Sequence, residues 1–180
     1  MGKERVRIME KNTFYIDKVT RSIEDAVTGK SFETEVLRIG AGDLKSVIKR
    51  NGWRFNWKME RAYRDRELYK LVIIGEEVIQ GLLSLQKAEN YIELHLIETA
   101  PHNYGRSKKY LGAPGNLVAF ACKISFEMGF EGVVGFRAKT RLIQHYMDTL
   151  GAEVLFKDRM CICEKSARKL VNSYYKGYLN

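Results

Sequence analysis

A glycine-containing turn at residues 110–116 has the residue types to bind an anion. It reads Tyr-Leu-Gly-Ala-Pro-Gly-Asn and stands between a predicted strand, Tyr91 to Glu98, and a predicted helix, Asn116 to Met128. The first turn of a helix has free backbone N–H groups, and the helix dipole adds partial positive charge there. Residues 99–126 contain no acidic residue and four basic ones. We therefore expect a phosphorylated carrier to bind at this turn, with group transfer beside it.

Three ionisable side chains lie on the predicted strand before the turn. Glu93 and His95 alternate with apolar neighbours, and the pair Leu96-Ile97 then breaks the alternation. A β-bulge that inserts one residue here would put Glu98 on the same face as Glu93 and His95, and bulges often lie beside active sites. Glu98 is thus a candidate proton acceptor or substrate anchor, with a solvated or salt-bridged carboxylate as the alternative. His95 is better explained as a hydrogen-bonded sheet histidine.

The cysteines predict neither a metal site nor a nucleophile. Their odd number argues against a secreted disulfide framework. Cys161 and Cys163 stand in a strand-like run, which predicts that their side chains point to opposite faces. Cys122 falls in the middle of the predicted helix, where a packed thiol is expected. No Ser-His-Asp pattern, HExxH, Walker A or CxxC motif is present.

Length and composition predict one ordinary globular domain over residues 1–180. The chain is 45% apolar and 29% charged, with two prolines and no low-complexity tract. The start, Met1 to Arg7, lacks the apolar core of a signal peptide, and no apolar run approaches the ~20 residues that span a bilayer. We expect a cytoplasmic protein that does not enter a membrane.

The net charge of +9 favours acidic partners, such as a phosphorylated cofactor or a nucleic acid. The stretch from Trp53 to Arg66 is both basic and aromatic. It is open to three interpretations: a wall of a substrate pocket, a nucleic-acid contact, or a solvated basic helix whose aromatic residues partly pack. The charge alone does not choose between them.

Both strands and helices are predicted to position the candidate site residues. Apolar periodicity and turn residues predict eight strands and five helices without a linker between domains. The predicted strands are Phe14–Val19, Ser31–Ile39, Leu68–Ile74, Val78–Leu85, Tyr91–Glu98, Gly132–Arg137, Ala152–Phe156 and Met160–Cys163; the predicted helices follow Asp43 as N-cap up to Asn51-Gly52, and cover Phe55–Arg66, Asn116–Met128, Leu142–Leu150 and Ser166–Tyr175.

This order resembles the GCN5-related N-acetyltransferase (GNAT) superfamily, and the resemblance covers most of Leu68 to Phe156. It implies an α/β fold of the α+β type, with a mixed, mostly antiparallel twisted sheet flanked by helices. In that superfamily two central strands splay apart and acetyl-CoA lies in the gap. The resemblance therefore implies acetyl-CoA as cosubstrate.

The resemblance also implies a cofactor-binding loop of pattern [RQ]-x-x-G-x-[GA]. Gly115 matches its last position, which puts Tyr110 at the Arg/Gln position, Ala113 at the first glycine and Pro114, which has no N–H, between them. A shift by one residue would use Lys109 and Gly112 instead. The implied contacts to the cofactor come from Tyr110, Leu111, Gly112, Ala113, Gly115 and Asn116, and from backbone N–H groups of Ile97 and Thr99 along the pantetheine arm.

By the same resemblance, a primary amine attacks the acetyl thioester directly, with Glu98 as base or anchor. Alignment on Gly151-Ala152 puts Met147 at the position of a family tyrosine. Tyr146, one residue away, is then the candidate acid for the leaving CoA thiolate, with a packing or surface tyrosine as the alternative. The acceptor is a small-molecule or peptide amine, and the superfamily includes homodimers. Two other interpretations are a catalytically degenerate CoA-binding GNAT-like protein and, less favoured, a basic nucleic-acid-binding module.

Overall fold

The computed structural model describes residues 11–180. The stretch from Met1 to Arg7, predicted not to be a signal peptide, lies outside them. Strands outnumber helices in this part of the chain, as expected. The strands are β1 (Ile23–Asp25), β2 (Ser31–Phe32), β3 (Thr34–Arg38), β4 (Glu67–Ile73), β5 (Gly81–Lys87), β6 (Ile92–Thr99), β7 (Tyr110–Leu111), β8 (Val134–Arg137), β9 (Glu153–Phe156) and β10 (Arg159–Ile162), and the helices are α1 (Trp57–Ala62), α2 (Ala113–Glu127), α3 (Ile143–Leu150) and α4 (Glu164–Tyr174).

The main sheet has seven strands in the order β3-β4-β5-β6-β8-β10-β9. Its neighbours are antiparallel except β6 and β8, which run parallel. Those two strands pair only from Ile92 opposite Val134 to Leu94 opposite Phe136, although β6 continues to Thr99. We call the space beyond that pairing the strand gap. The predicted mixed, mostly antiparallel sheet with two splayed central strands is confirmed.

A β-bulge interrupts β6, one residue before the predicted position. Leu94 pairs with Leu85 and Leu96 with Ser84, so His95 is the residue that the bulge inserts between these two pairs. The bulge changes which side chains share a face. Leu96 belongs to the apolar cluster around Trp57, and so does Leu82, the residue opposite Glu98. The bulge thus turns Glu98 toward α1 and away from α2.

Helix α2 is the central packing element. Leu117, Val118 and Ala121 are fully buried against the sheet and α4, because apolar side chains recur at helical spacing on the inward face. The helix begins at Ala113, three residues before the predicted start. Gly112, at φ 93°, is its N-cap, a conformation that glycine adopts without strain.

The N-terminal half departs from the sequence-based expectations. Residues 14–19 form no strand, and a separate three-stranded sheet of order β2-β1-β7 lies beside the main one. After Asp43 the chain makes successive turns and a 3₁₀ turn at Lys49–Asn51 instead of an α-helix. The helix predicted for 55–66 is only the six residues of α1. No helix within residues 11–180 is both long enough and apolar enough to cross a membrane.

Candidate functional site

A cavity of about 240 Å³ opens at the strand gap. One wall is the end of β6, from Ile97 to Thr99, and Pro114 at the start of α2 closes a second side. Cationic side chains at the cavity come from three separate loops: Arg54, Lys108 and Arg141. The cavity therefore joins the two features that the sequence singled out, the polar strand and the glycine-containing turn.

Glu98 is almost completely buried at this cavity and accepts three N–H groups. Oε1 accepts the backbone N–H of Arg54 at 2.6 Å, and Oε2 accepts the indole Nε1–H of Trp57 at 2.7 Å and the backbone N–H of Phe55 at 3.3 Å. The Arg54 guanidinium lies 4.0 Å away. The carboxylate thus fixes residues 54–57 along the cavity, and three donors already compete for its lone pairs.

The other polar residues of β6 are engaged elsewhere. Glu93 forms a close two-pronged ion pair with Arg159, and the ring of His95 hydrogen-bonds Gln86 at 2.9 Å. His95 is therefore a sheet histidine, as predicted. Among these three ionisable residues only Glu98 lines the cavity.

Backbone N–H groups at the end of β6 face the strand gap. The N–H of Ala100 donates to Gln80 on the β5 side at 3.0 Å. Because the N–H direction alternates along a strand, the N–H groups of Ile97 and Thr99 point to the opposite side, toward the gap. Their orientation fits the predicted contact with an extended ligand.

The start of α2 binds an anion in this structure, the carboxylate of Asp17. Its Oδ1 accepts the Gly112 N–H at 3.1 Å, and its Oδ2 lies 3.4 Å from the Lys108 ammonium. Ala113 and Gly115, in the first helical turn, have no acceptor within the helix for their N–H groups. This donor set fits a phosphate as well as a carboxylate, since both carry negatively charged oxygens.

The remaining residues of the predicted cofactor loop are used in the fold. Tyr110 and Leu111 pair with β1, and the Tyr110 ring packs edge-on against Phe32. The N–H of Asn116 donates to the Gly112 carbonyl within the helix at 3.0 Å, while its side chain donates to Thr34 at 2.8 Å. Free first-turn donors are thus confined to positions before Asn116.

Residues 12–20, which we call the gap segment, occupy the strand gap. Asn12 bridges the two splayed strands: its Nδ2 donates to the carbonyl of Arg137 at 3.2 Å and to that of Leu94 at 3.4 Å. Phe14 and Ile16 are 4% exposed, and the Ile16 N–H donates to Nε2 of His145 at 2.9 Å. Burial keeps the pKa of His145 below its ordinary value, although nearby Asp148 opposes this shift.

The gap segment also covers the first turn of α2. A methyl group on Gly112 would overlap the Thr20 hydroxyl, and one on Gly115 would overlap the hydroxyl of Tyr174, which accepts the Thr20 N–H at 3.3 Å. Gly115 therefore permits close packing of this segment and α4 on the helix. Sequence reasoning placed residues 14–19 in a strand and did not connect them to the site.

Tyr146 is fully buried, and its hydroxyl donates to the Phe14 carbonyl at 2.6 Å. Its ring contacts Phe14 and Phe136, with ring centroids 4.8 and 5.5 Å away. Burial raises the pKa of the phenol above its ordinary value, so the hydroxyl stays protonated. The gap segment therefore stands between Tyr146 and the cavity.

Two further sequence expectations meet the structure here. The side chains of Cys161 and Cys163 do not point to opposite faces, because the strand ends at Ile162; their sulfur atoms are 3.4 Å apart. Burial raises the pKa of the Cys122 thiol, which is fully buried as expected. Within residues 11–180 no three His, Cys, Asp or Glu side chains are grouped to hold a metal ion.

In the basic and aromatic stretch at 53–66 the aromatic side chains are buried or half-buried, while most of the basic side chains are exposed. Trp57 is fully buried and Trp53 is 7% exposed. The Arg66 guanidinium pairs with Glu60, 3.1 Å away, which in turn accepts the Ser84 hydroxyl. The indoles are thus part of the core and not platforms on which bases could stack.

No family model and no curated protein matches the sequence. Solved structures do match. The spermidine/spermine N-acetyltransferase SpeG from Vibrio cholerae aligns over 76% of this chain and 97% of its own, with a TM-score of 0.53 at 13% identity. A probable acetyltransferase of the GNAT family from Chromobacterium violaceum aligns over 73% and 81%, with a TM-score of 0.51 at 14% identity. The chain therefore has the GNAT fold, as the sequence resemblance implied.

Proposed function

We propose that this protein is an N-acyltransferase that uses acetyl-CoA as acyl donor and a primary amine as acceptor. The observation that carries the proposal is the strand gap, which leads from the anion-binding start of α2 to the cavity beside Glu98. When bound, acetyl-CoA supplies an acyl group activated as a thioester. The fold is the one that known N-acetyltransferases share, and the residues along the gap fit the parts of this cosubstrate.

The proposed binding residues follow the length of the gap. N–H groups at Gly112, Ala113 and Gly115 and the Lys108 ammonium hold phosphate oxygens, since this place already holds a carboxylate. N–H groups of Ile97 and Thr99 bind the pantetheine arm and direct the thioester carbonyl. Donors fixed in a buried strand stabilise negative charge that develops on such an oxygen.

Glu98 and Tyr146 are the proposed reactive-site side chains. Glu98 acts mainly by positioning, because its oxygens hold the backbone that forms the acceptor side of the cavity. The proton of the attacking amine then passes to water or to this carboxylate. Tyr146 keeps its proton at neutral pH and, once its hydroxyl is free of Phe14, can give it to a thiolate.

The first experiment is a calorimetric titration of the protein with acetyl-CoA and CoA, with ATP as comparator. Lys108→Glu should weaken CoA binding at least tenfold, since one charge-assisted contact is worth ~1.5–3 kcal/mol and about 1.4 kcal/mol is tenfold. Lys165→Glu, an equal charge change on the exposed start of α4, should bind like wild type. If both variants lose the same CoA affinity, the effect comes from the net charge of the protein and not from a contact of Lys108.

Turnover is tested by release of free CoA thiol with a panel of amines that includes polyamines, amino acids and peptides. The SpeG name specifies spermidine and spermine, but the cavity here is lined by three cationic side chains, Arg54, Lys108 and Arg141, against two carboxylates, those of Asp17 and Glu98. Asp17 already pairs with Lys108, and Glu98 already accepts three N–H groups. Like charges repel, so we expect neutral or acidic amines to react faster than polyamines. A strict preference for spermine would contradict this part of the proposal.

A second candidate is a GNAT-fold protein that binds CoA without turnover. The observation that favours it is the commitment of both candidate side chains: Glu98 accepts three N–H groups and the Tyr146 hydroxyl is buried on Phe14. CoA binding without thiol release for any amine would support this candidate. Thiol release that depends on an added amine would remove it.

A further inference from the structure

We propose that the gap segment is an internal competitor of the cofactor, so that acyl-CoA binds only after residues 12–17 leave the strand gap. This inference rests on the proposed function. The segment lies where the cosubstrate would lie, and it contacts three groups proposed above for the reaction, the Gly112 N–H, the Lys108 ammonium and the Tyr146 hydroxyl. Three contacts carry the argument, one at each end of the path and one in the middle.

The first contact imitates a phosphate. The Asp17 carboxylate takes the Gly112 N–H and pairs with Lys108, the groups assigned to the cofactor's phosphates. Thr20, further along the segment, lies so close to Gly112 that a methyl group there would overlap it. A phosphate and Asp17 cannot both occupy this place, because two anions would compete for one set of donors and repel each other.

The second contact imitates an amide. The Asn12 carboxamide donates to the carbonyls of Leu94 and Arg137, one on each splayed strand. Its own oxygen has no hydrogen-bond partner among the described residues. A buried polar oxygen without a partner costs free energy, and this cost offsets part of the stabilisation from the backbone bonds of Asn12 to Arg137 and Lys139. Pantetheine carries amide groups that could replace it.

The third contact covers the candidate acid. The Phe14 carbonyl accepts the Tyr146 hydroxyl, and the Phe14 ring packs on Tyr146 and Phe136. Departure of the segment would free that hydroxyl and open the cavity toward α3 in one step. Cofactor entry and uncovering of the acid are therefore the same event.

The contacts that hold the gap segment in place are of moderate strength. Tyr15 is 60% exposed, and Lys18 and Val19 are also exposed. No described strand pairs along residues 13–20, and cooperative ladder bonds therefore do not hold them. Few backbone hydrogen bonds lower the free-energy cost of opening, while the burial of Phe14 and Ile16 raises it.

The test compares CoA affinities of the full-length protein, Asp17→Asn and Glu76→Gln by calorimetry. Asparagine keeps an oxygen for the Gly112 N–H but removes the charge, so the segment competes less well and repels phosphate less. We expect CoA to bind at least fivefold more tightly to Asp17→Asn, and unchanged to Glu76→Gln, an equal charge change in the exposed loop after β4. Equal affinity of wild type and Asp17→Asn would overturn the proposal.

Hydrogen exchange of the wild-type protein provides a second measurement that needs no variant. CoA should speed exchange of the Ile16 amide, which leaves His145, while it slows exchange at Gly112 and Ala113. Slower exchange at both places would mean that the segment stays under the bound cofactor, and the inference would be wrong while the proposed function stands. Absence of CoA binding by every variant would instead refute the proposed function, and with it the competition.

Discussion

Replacing Glu98 by glutamine should destabilise the fold strongly for so small a chemical change. The carboxylate offers acceptors to three N–H groups from one loop, and it is 3% exposed, so water cannot replace a lost bond. Glutamine has one acceptor oxygen and one NH₂ group. In the better orientation its oxygen faces the Trp57 indole and its NH₂ faces the Arg54 N–H, donor against donor.

The cost follows from the bonds that change. One bond to a charged group is lost, worth ~1.5–3 kcal/mol, and the bonds to Trp57 and Phe55 weaken to neutral strength. Together these changes should lower the free energy of unfolding by about 2–4 kcal/mol. For a chain of this length about 3 kcal/mol corresponds to a fall in Tm of roughly 6–12 °C.

Urea unfolding followed by tryptophan fluorescence is the direct assay, since Trp57 itself reports on the site. Glu35→Gln on exposed β3 is the matched control and should change stability by less than about 0.5 kcal/mol. Trp57→Phe removes one donor, so in a double-mutant cycle the two changes should be coupled. If Glu98→Gln unfolds at the same urea concentration as the control variant, the carboxylate does not organise this loop and the positioning role is wrong.

Three further predictions concern titration and reactivity. Bonds from Lys11 and Arg137 lower the pKa of Asp158 to about 2. A carboxyl group whose pKa is lowered by folding stabilises the folded state at pH values above its unfolded pKa of 3.8. The stability difference between wild type and Asp158→Asn should therefore be full at pH 6 and vanish as the pH falls toward 2. Burial keeps the pKa of His145 below its ordinary 6.5, and NMR titration should show this. Acidification below pH 6.5 should destabilise wild type more than His145→Gln. A pKa above 6.5 would contradict the bond from Ile16. Native protein should alkylate Cys163 faster than Cys122, since the latter thiol is fully buried with a raised pKa, and preferential labelling of Cys122 by mass spectrometry would show that α2 opens.

The path from β6 through α2 to β8 was predictable because its signals are long and consistent. Apolar alternation from Ile92 to Leu96, a glycine turn and a helix of fifteen residues with apolar residues at helical spacing all favour the same arrangement. The bulge was also predictable, to within one residue, because one inserted residue restores an alternation that two adjacent apolar residues have broken. The short strands β1 and β7 were not, since two or three residues become a strand only through distant partners.

The gap segment shows why alternation alone can mislead. Phe14 and Ile16 are buried and Tyr15 is exposed, so burial here has the period of two that is typical of a strand. It could not tell a strand, which pairs through its backbone, from an extended chain that lies in a gap between two other strands. The loop after Asp43 has the same ambiguity, because Leu44 and Val47 are buried at helical spacing by single turns.

A competitor that belongs to the same chain differs from a copurified ligand in how it behaves at the bench. Dialysis and dilution leave its occupancy unchanged, because its two partners are covalently connected and their ratio does not depend on protein concentration. If the gap is closed in about 99% of molecules, the apparent Kd for CoA is about 100-fold weaker than the intrinsic one. A melting-temperature screen at one fixed CoA concentration then loses about 2.7 kcal/mol of stabilisation, enough for a true cosubstrate to be discarded as inert.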